Sequence, residues 1–243
     1  MAGLDQRRIG DLDCLTITSE QPPELLVVIS HGFGAPGDDL VSIGAHLLQM
    51  HPQLLDRVEF VFPAAPLDLS DRGIPGGRAW WMIDMEELQR TIESGQSRNL
   101  RSTVPDGLTE ARDSLGRTVG LLRERHDLEW DRVVLGGFSQ GAILSTDLCF
   151  RLPANPAALI AWSGTLINEA EWRQLASRRA GMPMLQSHGR SDAILPFSVA
   201  EVLRDLAQEH GIVHQWRPFS GQHEIPAEIV QASGDLLVGL LPE

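Results

Sequence analysis

The chain contains no lysine: all 20 of its basic residues are arginine. A P-loop lysine, a pyridoxal-phosphate Schiff base and every other lysine nucleophile are thereby excluded. Tyrosine is absent too, which removes phenolic acid/base chemistry. Two cysteines, Cys14 and Cys149, are too few for a four-thiolate zinc site, a four-cysteine iron–sulfur cluster or a disulfide-held scaffold. Long hydrophobic runs are missing. The longest, such as Leu25–Ile29, are strand-sized and far short of the roughly 20 residues that span a bilayer, so no integral membrane segment is expected. The opening MAGLDQRRIGDLD has a basic pair with no apolar core behind it; it does not read as a secretory signal, and a cytoplasmic location is expected. Positive charge is scarce, with 20 Arg against 33 Asp and Glu and a net charge of -13. A surface of that sign repels phosphates, so nucleic acid is not an expected partner. The chemistry left to the chain is that of Ser, His, Asp, Glu, Arg and two thiols.

At 243 residues the chain is long enough to close one full hydrophobic core. No internal repeat, charge block or Pro/Ser-rich linker divides it, so residues 1–243 are expected to form a single domain. Short β-branched apolar runs alternate with longer stretches of helical period, which predicts an α/β fold with a mostly parallel central sheet and helices on both faces. Strands are expected at 11–18, 25–30, 57–62, 132–136, 157–161, 182–187 and 213–218, the first alternating like an antiparallel edge. Asp38 or Asp39 reads as the N-cap of a helix reaching Met50, and Leu108, Ala111, Leu115, Val119 and Leu122 form an apolar stripe on the next. Further helices are expected over 140–151, 168–178, 197–210 and 225–241. From Leu67 to Asp106 the alternation fails. Gly-Ile-Pro-Gly-Gly, the pair Trp80-Trp81 and the polar stretch Ser94–Ser102 read together as an excursion over one end of the sheet, a lid or pocket wall.

Gly137-Phe138-Ser139-Gln140-Gly141 fits the pattern G-x-S-x-G, a weak signal that its context strengthens. The strand-like Arg132–Leu135 precedes it and the helix-like Ala142–Leu144 follows, the setting in which a sharp turn lifts a serine above a sheet. Side chains at 137 and 141 would crowd such a turn. A serine hydroxyl becomes a nucleophile only beside a base, and the base works best when a carboxylate fixes its tautomer. Towards the end of the chain His210 falls on a helix and His214 in a strand. His223 instead sits in the polar loop Ser220–Glu224, from which a side chain can reach across the sheet, and is the candidate base. Asp192 follows the strand 182–187 through His-Gly-Arg-Ser, on the same sheet edge as Ser139, and is the candidate acid. Asp205 and Asp235 lie in helical patterns and read as solvated, while His188 reads as a structural hydrogen-bonding residue. The backbone N–H groups of Gln140 and of Phe33, in the glycine-flanked loop after an early strand, are candidate oxyanion donors. Trp80, Trp81 and Met82 are candidate substrate-binding residues, an indole packing on an alkyl chain, unless the pair belongs to the core. His31, His188 and Asp192 lack metal-ligand spacing, so no metal is expected.

Six blocks in order, VVISHGFGAPGDDL, FVFPAAP, GGRAWW, VVLGGFSQGA, LQSHGRSDAILPF and GQHEIP, resemble the acyl-protein thioesterase, carboxylesterase and lysophospholipase family of α/β-hydrolases over about residues 25–225. The likeness implies the α/β-hydrolase fold and hydrolysis of carboxylic esters or thioesters without a cofactor. Carried over position by position, it puts the nucleophile on Ser139, the acid on Asp192, the base on His223 and the oxyanion donors on Phe33 and Gln140, the residues chosen above. It implies a small-molecule or lipid-like ester as partner and leaves a homodimer open. The chain departs from the family's pattern at Trp80–Asp84, where Trp, an aromatic and then Asp are common, and at Pro36, where Asp is common. A complete set of nucleophile, acid, base and donors argues against a non-catalytic binding protein on the same fold; the same triad serving another acyl transfer is the nearer alternative. Dienelactone-type ring opening calls for a cysteine nucleophile, and neither Cys14 nor Cys149 stands in such a turn.

Overall fold

Leu25–Ser30 is buried at all six positions, and its side chains enter two different cores. Leu26 and Val28 join one; Leu25, Val27 and Ile29 join the other. Such alternation requires an extended strand covered on both faces, the environment of a parallel sheet between helix layers. The computed structural model describes residues 3–18, 21–93 and 100–242. In chain order its elements are β1 (Gly3–Ile9), β2 (Leu12–Thr18), β3 (Leu25–Ser30), α1 (Val41–Met50), β4 (Val58–Pro63), β5 (Leu67–Asp68), β6 (Arg78–Ala79), α2 (Met85–Glu93), α3 (Leu108–Arg125), β7 (Val133–Phe138), α4 (Gln140–Arg151), β8 (Ala158–Trp162), α5 (Glu169–Ala176), β9 (Pro183–Gly189), α6 (Phe197–Glu209), β10 (Val213–Phe219) and α7 (Ala227–Leu240), with short 3-10 turns between some of them.

The main sheet has the order β1-β2-β4-β3-β7-β8-β9-β10. β3, β4 and β7 to β10 run parallel, and β2 is antiparallel to both its neighbours. Helices α3 to α6 cover one face, contributing Leu115, Leu144, Trp172 and Leu203 to its core. Helices α1 and α7 cover the other with Leu47, Leu48, Ile229 and Leu237. The predicted stripe of α3, from Leu108 to Leu122, is buried as its spacing requires. From β3 the chain crosses to β4 on one side and from β4 to β7 on the other, so the crevice beyond the C-terminal ends of β3 and β7 is the topological switch point, where ligands bind in open α/β sheets.

Two expectations are corrected. The strand expected at 11–18 is not the edge, because β1 pairs antiparallel along its whole length and takes that place. Being exposed at its first four positions, β1 carries no apolar alternation to reveal it. Nor do Asp38 and Asp39 cap a helix by their side chains; they form a turn, Asp38 O accepting the Val41 N–H at 3.1 Å, and α1 begins after Leu40 without a side-chain cap. The excursion expected at 67–106 holds the small β5–β6 hairpin and α2. Of its polar stretch Ser94–Ser102, residues 94–99 lie outside the described residues. Among the described residues no helix is long and apolar enough to cross a membrane.

Candidate active site

β7 ends at Phe138 and α4 starts at Gln140, leaving a single residue, Ser139, to make the turn. Its backbone is held at φ 54° and ψ -116°, a region a non-glycine residue occupies only at a cost of about 1–3 kcal/mol. The surroundings impose it: the Ser139 N–H donates to Trp162 O at 2.9 Å, and a Cβ at Gly137 would come within 2.5 Å of Ser30 O. Gly141 is pressed against the carbonyls of Ser30 and His31 in the same way. Ser139 thus stands at the switch point, beside the loop that leaves β3.

Asp192 lies in the loop after β9 with its side chain fully buried. Its Oδ1 accepts the N–H groups of Ile194 at 2.9 Å and Leu195 at 2.8 Å, and its Oδ2 accepts Nδ1–H of His223 at 2.7 Å. His188 brings a second imidazole to Oδ2, with Nε2 at 3.2 Å. Burial alone pushes this carboxyl up, but the hydrogen bonds from His188 and His223, the charge of His223 and the Leu195 N–H outweigh it and hold the carboxyl well below the usual carboxylate range. The loop carrying His223 is brought over the end of β9 by close backbone approach: a Cβ at Gly189 would collide with the carbonyl oxygens of Gln222 and Gly221. Ser163, itself at φ 48°, steadies the same loop by donating its hydroxyl to Glu224 O at 3.2 Å. The His223 ring packs on Phe138 at 4.7 Å between centroids, one residue from Ser139. Among the described residues the Ser139 hydroxyl has no hydrogen-bond partner, the looser arrangement usual before substrate binds.

The N–H of Gln140 is at the first position of α4, where no intrahelical acceptor exists. In the loop after β3, Gly34 N–H is taken by Arg78 O at 2.8 Å and Ala35 N–H by Gly32 O at 3.4 Å, while among the described residues Phe33 N–H has no acceptor. A Cβ on Gly32 would lie 3.4 Å from the Ser139 Cβ, so this loop runs against the serine. Two free amides on elements flanking one hydroxyl can hold an oxygen that gains negative charge.

Beside Ser139 and Gln140 opens a cavity of about 210 Å³, walled by Trp81, Met82, Leu88, Leu100, Ile143 and Ile167 among others. The excursion therefore supplies one wall. Of the candidate substrate-binding residues, Trp81 and Met82 line the cavity and Trp80 does not. Its indole is turned into the core, 1% exposed, donating Nε1–H to His31 O at 3.0 Å, and the polar end of the ring is thereby used for structure. What sequence reasoning missed is the side chain of Gln140, which accepts the Trp80 N–H and donates to Trp81 O, both at 2.9 Å, and so ties the wall to the serine turn. A polar residue buried directly after the serine is the signal that would have shown it. Gly189 and Ser163 were missed as well, since no local pattern marks a contact made across two loops.

The remaining candidates fall elsewhere. His31 Nδ1 donates to Gly32 O at 2.8 Å and its Nε2 accepts Ala65 N–H at 3.0 Å, so both ring nitrogens are committed; burial lowers its pKa. His214 lies on β10 against Gln186, and Asp205 and Asp235 are exposed on helices. Cys14 and Cys149 are buried, and burial pushes both thiols up to about 12.

The sequence model of the Phospholipase/Carboxylesterase family matches residues 13–237. The chain is similar to acyl-protein thioesterase 1 of Eremothecium gossypii, 27% identical over 216 residues that cover 86% of this chain and 85% of that one. It is 25% identical over 191 residues to acyl-protein thioesterase 1 of Saccharomyces cerevisiae, covering 78% and 79%. Among solved structures, esterase PE8 aligns with a TM-score of 0.77 at 23% identity over 98% of this chain and 99% of that one. A carboxylesterase from Mesorhizobium loti aligns with a TM-score of 0.73 at 15% identity over 97% and 99%. Likenesses at such low identity carry the fold, that of the α/β-hydrolases.

Proposed function

The chain belongs to the phospholipase/carboxylesterase family and is an ester-cleaving hydrolase, and from that premise we propose that it works through an acyl-enzyme on Ser139. Asp192 fixes His223 with its proton on Nδ1, which leaves Nε2 free to accept the Ser139 proton. The hydroxyl oxygen attacks the carbonyl carbon of a carboxylic ester or thioester. The C=O electron pair moves to the carbonyl oxygen, which the N–H groups of Phe33 and Gln140 hold as its charge develops. Collapse expels the alcohol or thiol, which takes the proton from His223. Water then gives a proton to His223 and attacks the acyl carbon, and Ser139 leaves with that proton. The observation that carries this reading is the strained Ser139 backbone kept beside a half-buried histidine held by a buried aspartate, strain being retained only where the surroundings over-determine it.

The cavity beside Ser139 is the proposed acyl site, with Trp81 and Met82 against the chain. The relatives' name directs attention to thioesters, and the apolar wall to acyl chains of medium length. Each buried methylene is worth about 0.8 kcal/mol, so kcat/KM should climb over the first carbons and level off when the cavity is full. Residues 1–243 are proposed to be one catalytic domain, supported by the single main sheet against which the helices pack. Ser139→Ala tests the mechanism: it should melt like the parent and lose roughly 10³ to 10⁶ in kcat on p-nitrophenyl esters. Undiminished hydrolysis would refute it.

A further inference from the structure

His188 sits one residue from the end of β9 with no exposed surface. Its Nε2 lies 2.7 Å from Leu195 O and 3.2 Å from Asp192 Oδ2. A carbonyl oxygen only accepts, so Nε2 must carry a hydrogen, directed to Leu195 O with Asp192 Oδ2 at its side. Nδ1 is buried without a partner among the described residues, and the ring meets that of Phe197 in a T-shaped contact at 6.1 Å between centroids. A second N–H at Nδ1 would have nothing to bond, and the neutral Nε2–H ring is the form this environment accepts.

From these contacts we infer that His188 is a positioning residue that acts through Asp192. An ionised carboxylate offers about four lone-pair sites; three are filled by Ile194 N–H, Leu195 N–H and His223 Nδ1–H, and His188 Nε2 stands 3.2 Å from Oδ2 beside the fourth. The carboxylate cannot rotate, and the oxygen that holds His223 is shared with His188. The same N–H fixes the Leu195 carbonyl, and Ile194 and Leu195 line the cavity beside Ser139. One buried imidazole thus sets the orientation of the acid, its strength as an acceptor, and the position of the adjoining cavity wall. The inference rests on the reading of Asp192 and His223 as acid and base.

The consequence has a sign. Without the His188 N–H, Oδ2 is no longer shared, the carboxylate is a better acceptor for His223, and protonated His223 is stabilised. The acid limb of kcat/KM then moves to higher pH. The other charged groups near the pair are Arg190, whose guanidinium lies 5.1 Å over the Phe197 ring, Glu224, whose carboxylate takes the Gln222 N–H, and Asp84 and Asp106 on the cavity rim. None of them is altered in the variants below.

The test compares His188→Leu, which removes the donor, with His188→Gln, whose amide restores one. In His188→Leu, kcat should fall about tenfold, the scale of one hydrogen bond. Its acid limb should move up by about 0.5 to 1 pH unit. In His188→Gln the limb should return towards the parent's. An unmoved limb in folded His188→Leu, or His188→Gln shifted as far as His188→Leu, would overturn the inference. Should His188→Leu not fold, ¹⁵N-histidine spectra of the parent decide: the inference requires the Nε2–H tautomer at His188 throughout the range in which His223 titrates, and an Nδ1–H tautomer refutes it. Ser139→Ala, assayed alongside, separates the two failures. Activity independent of Ser139 sinks the underlying mechanism, whereas activity that needs Ser139 but ignores His188 sinks only this inference.

Discussion

The site has a frame and a wall, and they are held by different means. The frame consists of Ser139, Asp192 and His223 on turns at the C-terminal ends of β7, β9 and β10. It is fixed by backbone contacts too close for a side chain at Gly137, Gly141 and Gly189, and by a carboxylate that accepts three hydrogen bonds with His188 beside it. The wall, described at 81–93 and 100–105, packs Trp81, Ile83 and Leu100 on the core and is tied at its ends by polar anchors. At one end the Gln140 side chain grips Trp80 and Trp81. At the other, Arg101 and Thr103 carbonyls accept Glu169 N–H at 2.7 Å and Asn168 N–H at 3.2 Å, with the Arg101 guanidinium 2.7 Å from the Glu169 carboxylate. A frame of close-packed backbone tolerates almost no change, while a wall tied by hydrogen bonds at its ends can alter its shape without disturbing the chemistry. The frame should therefore govern turnover and the wall the choice of acyl chain.

The largest effect that separates them is expected from Asp192→Asn, which keeps the shape of the frame but favours the wrong imidazole tautomer. It should lower kcat by about 10⁴ for every ester, short or long. A near-normal Asp192→Asn enzyme would mean that another carboxylate is the acid. Next comes Gln140→Ala, which frees the wall yet leaves the Gln140 backbone donor in place. Hydrolysis of medium-chain p-nitrophenyl esters should fall about 10- to 100-fold, the cost of one or two lost buried hydrogen bonds, and acetate hydrolysis by less. Equal losses on both would show that wall and frame are one unit. Trp81→Ala should also lower medium-chain kcat/KM more than acetate kcat/KM, by up to about tenfold. A uniform loss, or a lowered melting temperature alone, would show that Trp81 serves only the core.

The smallest effect lies outside both regions, on β10. Burial, assisted by the Arg204 charge and only partly opposed by Asp205, lowers the His214 pKa to about 4. In the unfolded chain the ring takes up its proton near pH 6.5, so the unfolded state binds more protons between those values and stability falls as pH drops from about 6.5 to 4. His214→Gln should flatten the dependence of Tm on pH in that window and leave turnover alone. An unchanged slope would place the acid sensitivity elsewhere.

The frame was legible in the sequence because its requirements are local. A strand, a glycine-spaced serine and a helix occupy successive residues from 133 to 151, and Asp192 and His223 each follow a strand in polar loops. The wall was legible only as an interruption of the α/β rhythm. Trp80 and Trp81 are adjacent, chemically alike and both buried in the core, yet only Trp81 also lines the cavity, a difference set by His31 and Gln140, some 50 to 60 residues away in the chain. β1 escaped notice because a half-solvated edge strand has no need of apolar alternation. His188 read as structural for want of any sequence sign that its hydrogen would meet Asp192.

The central claim is that Ser139 is the residue acylated during turnover. The most direct measurement is intact and peptide mass spectrometry after reaction with a fluorophosphonate, beside an esterase assay of the same sample. One adduct per chain on the peptide containing Ser139, formed in step with loss of activity and absent from Ser139→Ala, is the expected result. An adduct on another residue, or full loss of activity with Ser139 unmodified, would contradict the account.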